Sequence, residues 1–314
     1  TKKALFDIAT QAIKDGKAGA GVKEAYESEN FPSLAHKLGV KVIHIAERDT
    51  QVTDKPKQVN EFVNTWSVEG FYEEGIAPAE LGWGTHEKTL PINAYQHPDG
   101  PKNQICIAQP GAKTWVRSWV PNMETTGMVI RHGEAFTISD HLTVWDKEKA
   151  VYRPTVHYAY CPTDAAVASM HELEMRQWDL TTNQRIMNEE IIDGDDRLGV
   201  LLMGHAYKSW WTGSLLNIHD SRKLIPKQSA TTVQVASAVY AAVAWAMANP
   251  NAGYRVPDDL PWREVLAFAE KYWGGYHSAA ADWDPLMHRN DLYKGWNNRK
   301  YDESDPWQFS NFLV

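Results

Sequence analysis

Cysteine is nearly absent: of 314 residues, only Cys106 and Cys161 are cysteines. Two thiols build no disulfide framework, and neither has a companion at the spacing a zinc site requires, so a reducing, cytoplasmic setting is expected. Positive charge is also scarce. Lys and Arg number 32 against 40 Asp and Glu, a formal net charge of -8. That balance argues against nucleic acid as a partner, because phosphate binding needs clustered basic residues. An acidic pocket instead favours a cationic ligand. No secretory leader is expected, since Thr1-Lys2-Lys3 runs into an amphipathic helical pattern with no continuous apolar stretch. One uncharged run, Ser229 to Ala248, approaches the length of a bilayer span. Its alanines, its Gln234 and Ser237, and the lack of flanking basic clusters predict a buried core helix and no membrane partner.

Two familiar signatures are missing as well. Gly16, Gly19 and Gly21 follow a helical pattern and lack the strand-turn-helix frame of a phosphate-binding loop. His171-Glu172-Leu173-Glu174-Met175 carries Met where a zinc-binding helix needs its second His, and His205 has no ligand-spaced companion, so no metal site is expected. Internal repeats and low-complexity tracts are absent.

Hydrophobic residues make up 43% and charged residues 23% of the chain, as in a soluble globular protein of one large or two ordinary domains. Fourteen tryptophans add large apolar faces, whose ordinary use is packing. Leu5, Ile8, Ala9, Ala12 and Ile13 predict a helix stopped by Gly16, and Phe31-Pro32-Ser33 opens a short helix over Leu34 to Leu38 before a strand over Val40 to Ala46. Strands follow over Phe62 to Val68, Ile105 to Ala108, Thr114 to Val120, Gly127 to Arg131 and Thr143 to Trp145, giving a mixed or antiparallel sheet. After Thr155 the pattern turns helical over Ala165 to Gln177 and Asn183 to Ile192, with strands over Leu198 to Met203 and Ser214 to Ile218. The Ser229 helix, a Trp262 to Trp273 helix and an irregular tail from Tyr276 complete the chain.

The stretch from Val42 to Glu80 concentrates the chemistry, because two apolar runs deliver polar residues at their ends. Its carboxylates, Glu47, Asp49, Glu69, Glu73 and Glu74, suit an amine, which is cationic at neutral pH and needs anions for capture and proton removal. The indole of Trp66 attracts a cation by about 0.5–2 kcal/mol. Each acid alone also reads as a surface charge, and Trp66 as a buried strand residue. Arg131-His132-Gly133-Glu134 follows a strand and can place an imidazole in a cleft, although a single His also reads as a structural group.

The strings VIHIAERDTQ, FVNTWSVEGF, PAELGWGTHEK, VYRPTVHYAY, LGVLLMGH and DPWQFSNFLV resemble those of bacterial homospermidine synthases, in the saccharopine-dehydrogenase-like superfamily. The resemblance runs from about Lys41 to Val314. It implies an α/β fold with an inserted α+β domain. Residues 1–40 would be the remnant of a Rossmann NAD-binding domain, 41–151 a β-rich, mixed-sheet substrate and dimerisation domain, and 152–314 helices and strands packing back on the nucleotide domain. Family members open with a GxGxxG segment, so the chain reads as their C-terminal two-thirds, with the main NAD loop outside it. NAD is implied as a retained prosthetic group, putrescine as substrate, spermidine as a further donor, and a homodimer as the assembly. The implied reaction oxidises putrescine to an imine, transfers the aminobutyl group to a second putrescine with loss of ammonia, and reduces the Schiff base with the same NADH. Glu47 of HIAERD and Glu74 of FYEEG would face the diamine, Trp66 of NTWS would hold the cationic intermediate, and His132 of RHGEAF would move protons near the nicotinamide.

Two readings compete with this one. An opine- or saccharopine-type amino-acid dehydrogenase needs Arg or Lys forks for substrate carboxylates; the central stretch offers Arg48, Lys55 and Lys57 against more acids. The other is a polyamine-binding or dimerisation module without turnover.

Overall fold

The computed structural model describes residues 1–289 and 300–314. Its frame is a mixed ten-stranded sheet with the Val42–Asp49 strand near the middle, parallel to Thr155–Cys161 on one side and antiparallel to Asp195–His205 on the other. Beyond Asp195–His205 lie Lys208–Asn217 and Tyr276–Ala281; beyond Thr155–Cys161 lie Pro78–Gly82, Gln104–Pro110 and Ala94–Gln96. A hairpin of Trp115–Val120 and Met123–Met128 joins at Tyr160, opposite Met128. Strands from both sides of residue 151 thus share one sheet. Fold class matches the α/β expectation.

Side-chain alternation along the central strands builds two cores, one per face. Ile43, Ile45, Val156 and Leu202 pack with Leu5, Phe31, Phe71 and Met170 from helices Lys2–Lys14, Phe31–Leu38, Val68–Ile76 and Asp164–Met175. Val42, Ala46, Ala159 and Leu201 pack on the opposite side with Trp283, Phe309 and Phe312. A strand covered on both faces needs an almost continuous apolar run, and Val42-Ile43-His44-Ile45-Ala46 supplies it.

Several segments depart from the sequence pattern. Thr155–Cys161 is a buried strand although helical text was expected there; Pro154 precedes the ladder and costs it no hydrogen bond. Phe62 to Val68 is not one strand. Only Phe62–Asn64 pairs, with Gln184–Ile186, and Ser67 then accepts a hydrogen bond from the Gly70 N–H and opens the Val68–Ile76 helix. That pairing also overrides the helix expected over Asn183 to Ile192, which forms the short strands Gln184–Ile186 and Ile191–Asp193. The strand expected over Gly127 to Arg131 ends at Met128, and the Arg131 N–H reaches the Glu74 carbonyl.

The Ala230–Ala248 helix forms, with Ser229 accepting from the Thr232 N–H. It is not a buried core helix: only 33% of its apolar window is buried, and Val235, Val239, Val243 and Met247 are exposed. By length and composition alone it could cross a membrane. The tail is more regular than expected, because Tyr276–Ala281 extends the sheet edge and Phe309–Phe312 is helical. Residues 290–299 of that tail lie outside the described residues.

Candidate active site

Glu47 leaves the central strand on the face that carries the helical layer, beside Tyr160 on the parallel neighbour and Leu198 on the antiparallel one. It is 4% exposed, and its Oε2 accepts the Tyr158 hydroxyl at 2.6 Å. Burial pushes its carboxyl up to about 8; the Tyr158 hydrogen bond and His132 pull it back, while Asp49 and Glu74 add to the rise. A carboxyl titrating near neutrality can both give and take a proton.

His132 precedes the Glu134–His141 helix, with Nδ1 bonded to Glu134 and Nε2 3.5 Å from Glu74 Oε1. Its ring centroid lies 5.0 Å from that of Tyr158. Burial opposes the charged form, but the hydrogen bonds to Glu134 and Glu74 override it and hold the imidazole up to about 10. At neutral pH it is an imidazolium.

Glu74 sits on the last turn of the Val68–Ile76 helix, and its buried Oε2 has no hydrogen-bond partner among the described residues. Such an atom suits a cationic ligand, because a buried acceptor left unpaired is costly. Glu69 and Glu73 of the same helix are exposed. Asp49 is buried and fully bonded, accepting from the Gln51 N–H at 2.9 Å, Gln51 Nε2 at 3.0 Å, Thr65 at 2.6 Å and Thr231 at 3.1 Å. It therefore fastens the end of the central strand to the segment that carries Trp66.

Trp66 is half-buried; its Nε1–H donates to Tyr160 Oη at 2.8 Å and its ring lies 5.9 Å from that of Phe71. Gly70 makes room for it, since a Cβ there would stand 3.0 Å from the indole Cζ3. The structure thus brings Glu74 and His132 together directly, sets Glu47 within electrostatic reach of both through Tyr158, and links Trp66 to them through Tyr160. Tyr158 and Tyr160 are the residues that sequence reasoning missed. Their signal was the alternation in VHYAY, hidden because the stretch was not recognised as a strand.

A phosphate cradle is not among these parts. Gly21 opens a six-residue helix, Val22–Glu27, with the Lys37 side chain 3.4 Å from where its Cβ would be, and no strand leads into it. The described residues do not form a dinucleotide loop.

Among known proteins, residues 8–273 match the family described as Saccharopine dehydrogenase C-terminal domain. The chain belongs to that family. Within the matched span of this saccharopine dehydrogenase C-terminal domain lie Glu47, Trp66, Glu74 and His132. The chain is 48% identical over 309 residues to a homospermidine synthase of Blastochloris viridis, covering 97% of this chain and 64% of that protein. It is 46% identical over 316 residues to a homospermidine synthase of Mesorhizobium japonicum, covering 100% and 64%. It therefore spans less than two thirds of the length of these relatives. The crystal structure of the homospermidine synthase from Legionella pneumophila in complex with NAD matches with a TM-score of 0.90 at 38% identity, over 100% of this chain and 67% of that one.

Proposed function

We propose that this chain carries the diamine site of a homospermidine synthase, an aminobutyl transferase that converts two putrescines to homospermidine with release of ammonia. The observation that carries the reading is the placement of buried Glu47 within electrostatic reach of the Glu74–His132 pair, with Tyr158 bonded to Glu47 and packed on His132, and with the indole of Trp66 tied to the neighbouring Tyr160. Kinship with two homospermidine synthases supports it. Glu74 and Glu47 would take the ammonium groups, with Glu47 accepting a proton as the amine is oxidised and returning one later. Trp66 would face the cationic imine, and His132 would supply charge and protons next to Glu74. NAD, when bound, supplies the hydride acceptor and donor; the solved relative holds it, and the glycines among the described residues give it no loop. The main NAD contact is accordingly assigned outside this chain.

The same reading takes residues 1–40 as the end of the nucleotide domain, 41–151 as the substrate and dimerisation part and 152–314 as the part packing back on the nucleotide domain. It places the enzyme in the cytoplasm as a homodimer that also accepts spermidine. The test is mass spectrometry of products after incubating the full-length protein, and separately the 314-residue chain, with putrescine and NAD. Homospermidine from the full-length protein only is expected. Product from neither overturns the proposal, and faster turnover of an amino acid with a carbonyl partner would assign an opine-type dehydrogenase instead.

A further inference from the structure

Tyr158 and Tyr160 stand two residues apart on the Thr155–Cys161 strand, so both leave it on the same face, the one that carries Glu47. Each hydroxyl engages a different group of the site. Tyr158 donates to Glu47 Oε2 at 2.6 Å, and Trp66 Nε1 donates to Tyr160 Oη at 2.8 Å. The rings themselves are wedged. Tyr160 is 1% exposed and meets Phe71 edge-on at 5.4 Å, while Tyr158 meets Tyr160 edge-on at 6.1 Å. A phenol has two torsions and here sits in a packed layer on a central strand. Glu47 has three torsions, and Trp66 lies just past the end of its short strand.

We propose that Tyr158 and Tyr160 form a positioning rack for the diamine site, Tyr158 setting the Glu47 carboxyl and Tyr160 setting the Trp66 indole. The inference rests on the function proposed above. A diamine reacting at one carbon needs the proton-handling group and the cation-facing ring at a fixed separation, and two hydroxyls on one rigid strand provide it. Each bond also has an electrostatic sign. Donation from Tyr158 favours ionised Glu47, so its loss moves the carboxyl upward. The other titratable groups facing Glu47 are Asp49 on its own strand, Asp196 opposite Asp49 on the antiparallel neighbour, Tyr160 on the parallel one, Glu74 on the Val68–Ile76 helix, and His132 with Glu134. All of them persist when Tyr158 becomes phenylalanine.

The test uses full-length Tyr158→Phe and Tyr160→Phe. Infrared difference titration, with Glu47→Gln assigning the band, follows the carboxyl; ultraviolet resonance Raman, with Trp66→Phe assigning it, reads the indole N–H hydrogen bond. Tyr158→Phe is expected to raise the proton affinity of Glu47 about tenfold, to move the acidic limb of kcat/KM for putrescine the same way, and to leave the indole signal intact. Tyr160→Phe is expected to lose the indole hydrogen bond, to raise KM for putrescine roughly 2- to 30-fold, and to leave the Glu47 titration in place. Should a variant fail to fold, difluorotyrosine at 158, a stronger donor, keeps the ring and must lower the Glu47 titration. An unmoved carboxyl in the Tyr158 variants, or an intact indole signal in Tyr160→Phe, overturns the rack. If wild type makes no homospermidine the proposed function falls, while the two spectroscopic signals still decide the rack.

Discussion

Glu74 is badly placed as a purely structural residue: it lies at a helix C-terminus, where the backbone already presents negative charge, and one of its oxygens is buried without a partner among the described residues. A bound ammonium removes both costs. Glu74→Gln should therefore raise KM for putrescine in the full-length protein. It should also lower the His132 titration, since Glu74 is one of the two acids that hold that imidazolium charged. Histidine NMR reads the second effect directly, and unchanged kinetics would remove Glu74 from the site. Trp66→Ala should cut turnover about 2- to 30-fold through the lost cation contact. Because the side chain is only half-buried, its stability loss should stay below the roughly 3–5 kcal/mol of a core tryptophan. Equal damage to melting temperature and turnover would mark it as packing alone. Glu47, Glu74 and Trp66 could be proposed from the sequence because they fall within one short stretch whose residue types suit a cation. Tyr158 and Tyr160 could not, since nothing local says that a strand more than a hundred residues away runs beside Glu47.

The strand that bears the tyrosines is held by an approach only glycine permits. A Cβ on Gly127 would fall 2.3 Å from the Ala159 carbonyl carbon and 2.6 Å from the Tyr160 nitrogen. Backbone cannot yield as a flexible side chain can, so Gly127→Ala should cost about 1–3 kcal/mol or more and loosen both tyrosines. Gly133, with open space around it and helical φ and ψ, is the control and should accept alanine with little change. Denaturant midpoints of the two variants separate these outcomes. At this scale the sequence was readable where an element carries its own signals: the spacing of Leu5, Ile8 and Ala12, the stop at Gly16, the Ser229 cap. It was unreadable where pairing decides, as at Gln184–Ile186 and Tyr276–Ala281, which are strands because a distant edge accepts them. The Ala230–Ala248 helix lies between these cases, since its existence was legible and its exposed face was not.

Stability of the whole molecule should fall as pH rises above about 6.5, the ordinary histidine value. Buried His44, His157 and His205 are held neutral by desolvation, the last two down to about 4. Above 6.5 they are neutral in both folded and unfolded chains and drop out of the balance; they act on the acid side, where the unfolded chain takes up protons that the folded one refuses. Glu47, Glu87 and His132 dominate the alkaline side; burial of Asp49 and Asp196 pushes the same way, and the buried Thr1 ammonium, pulled down to about 5, opposes them. Burial holds Glu47 at about 8 and Glu87 at about 7, the latter despite hydrogen bonds from Thr155 and the Phe309 N–H, whereas unfolded they titrate at 4.5. His132, held up to about 10, keeps a proton that the unfolded chain releases near 6.5. In all three the folded state binds more protons, so stability drops with rising pH, through about 7 and 8 for the carboxyls and onward toward 10 for the imidazolium. Scanning calorimetry from pH 6.5 to 8.5 should show a falling midpoint. Glu87→Gln, on the Phe309 face of the sheet away from the proposed diamine site, should flatten the fall and leave turnover unchanged. Glu47→Gln should flatten it and abolish turnover, which would tie the cost of burying that carboxyl to the work it does. A midpoint that falls as steeply in Glu47→Gln as in the unmutated protein would mean that the Glu47 carboxyl is ionised in the folded state, and its acid-base role would fall with that result.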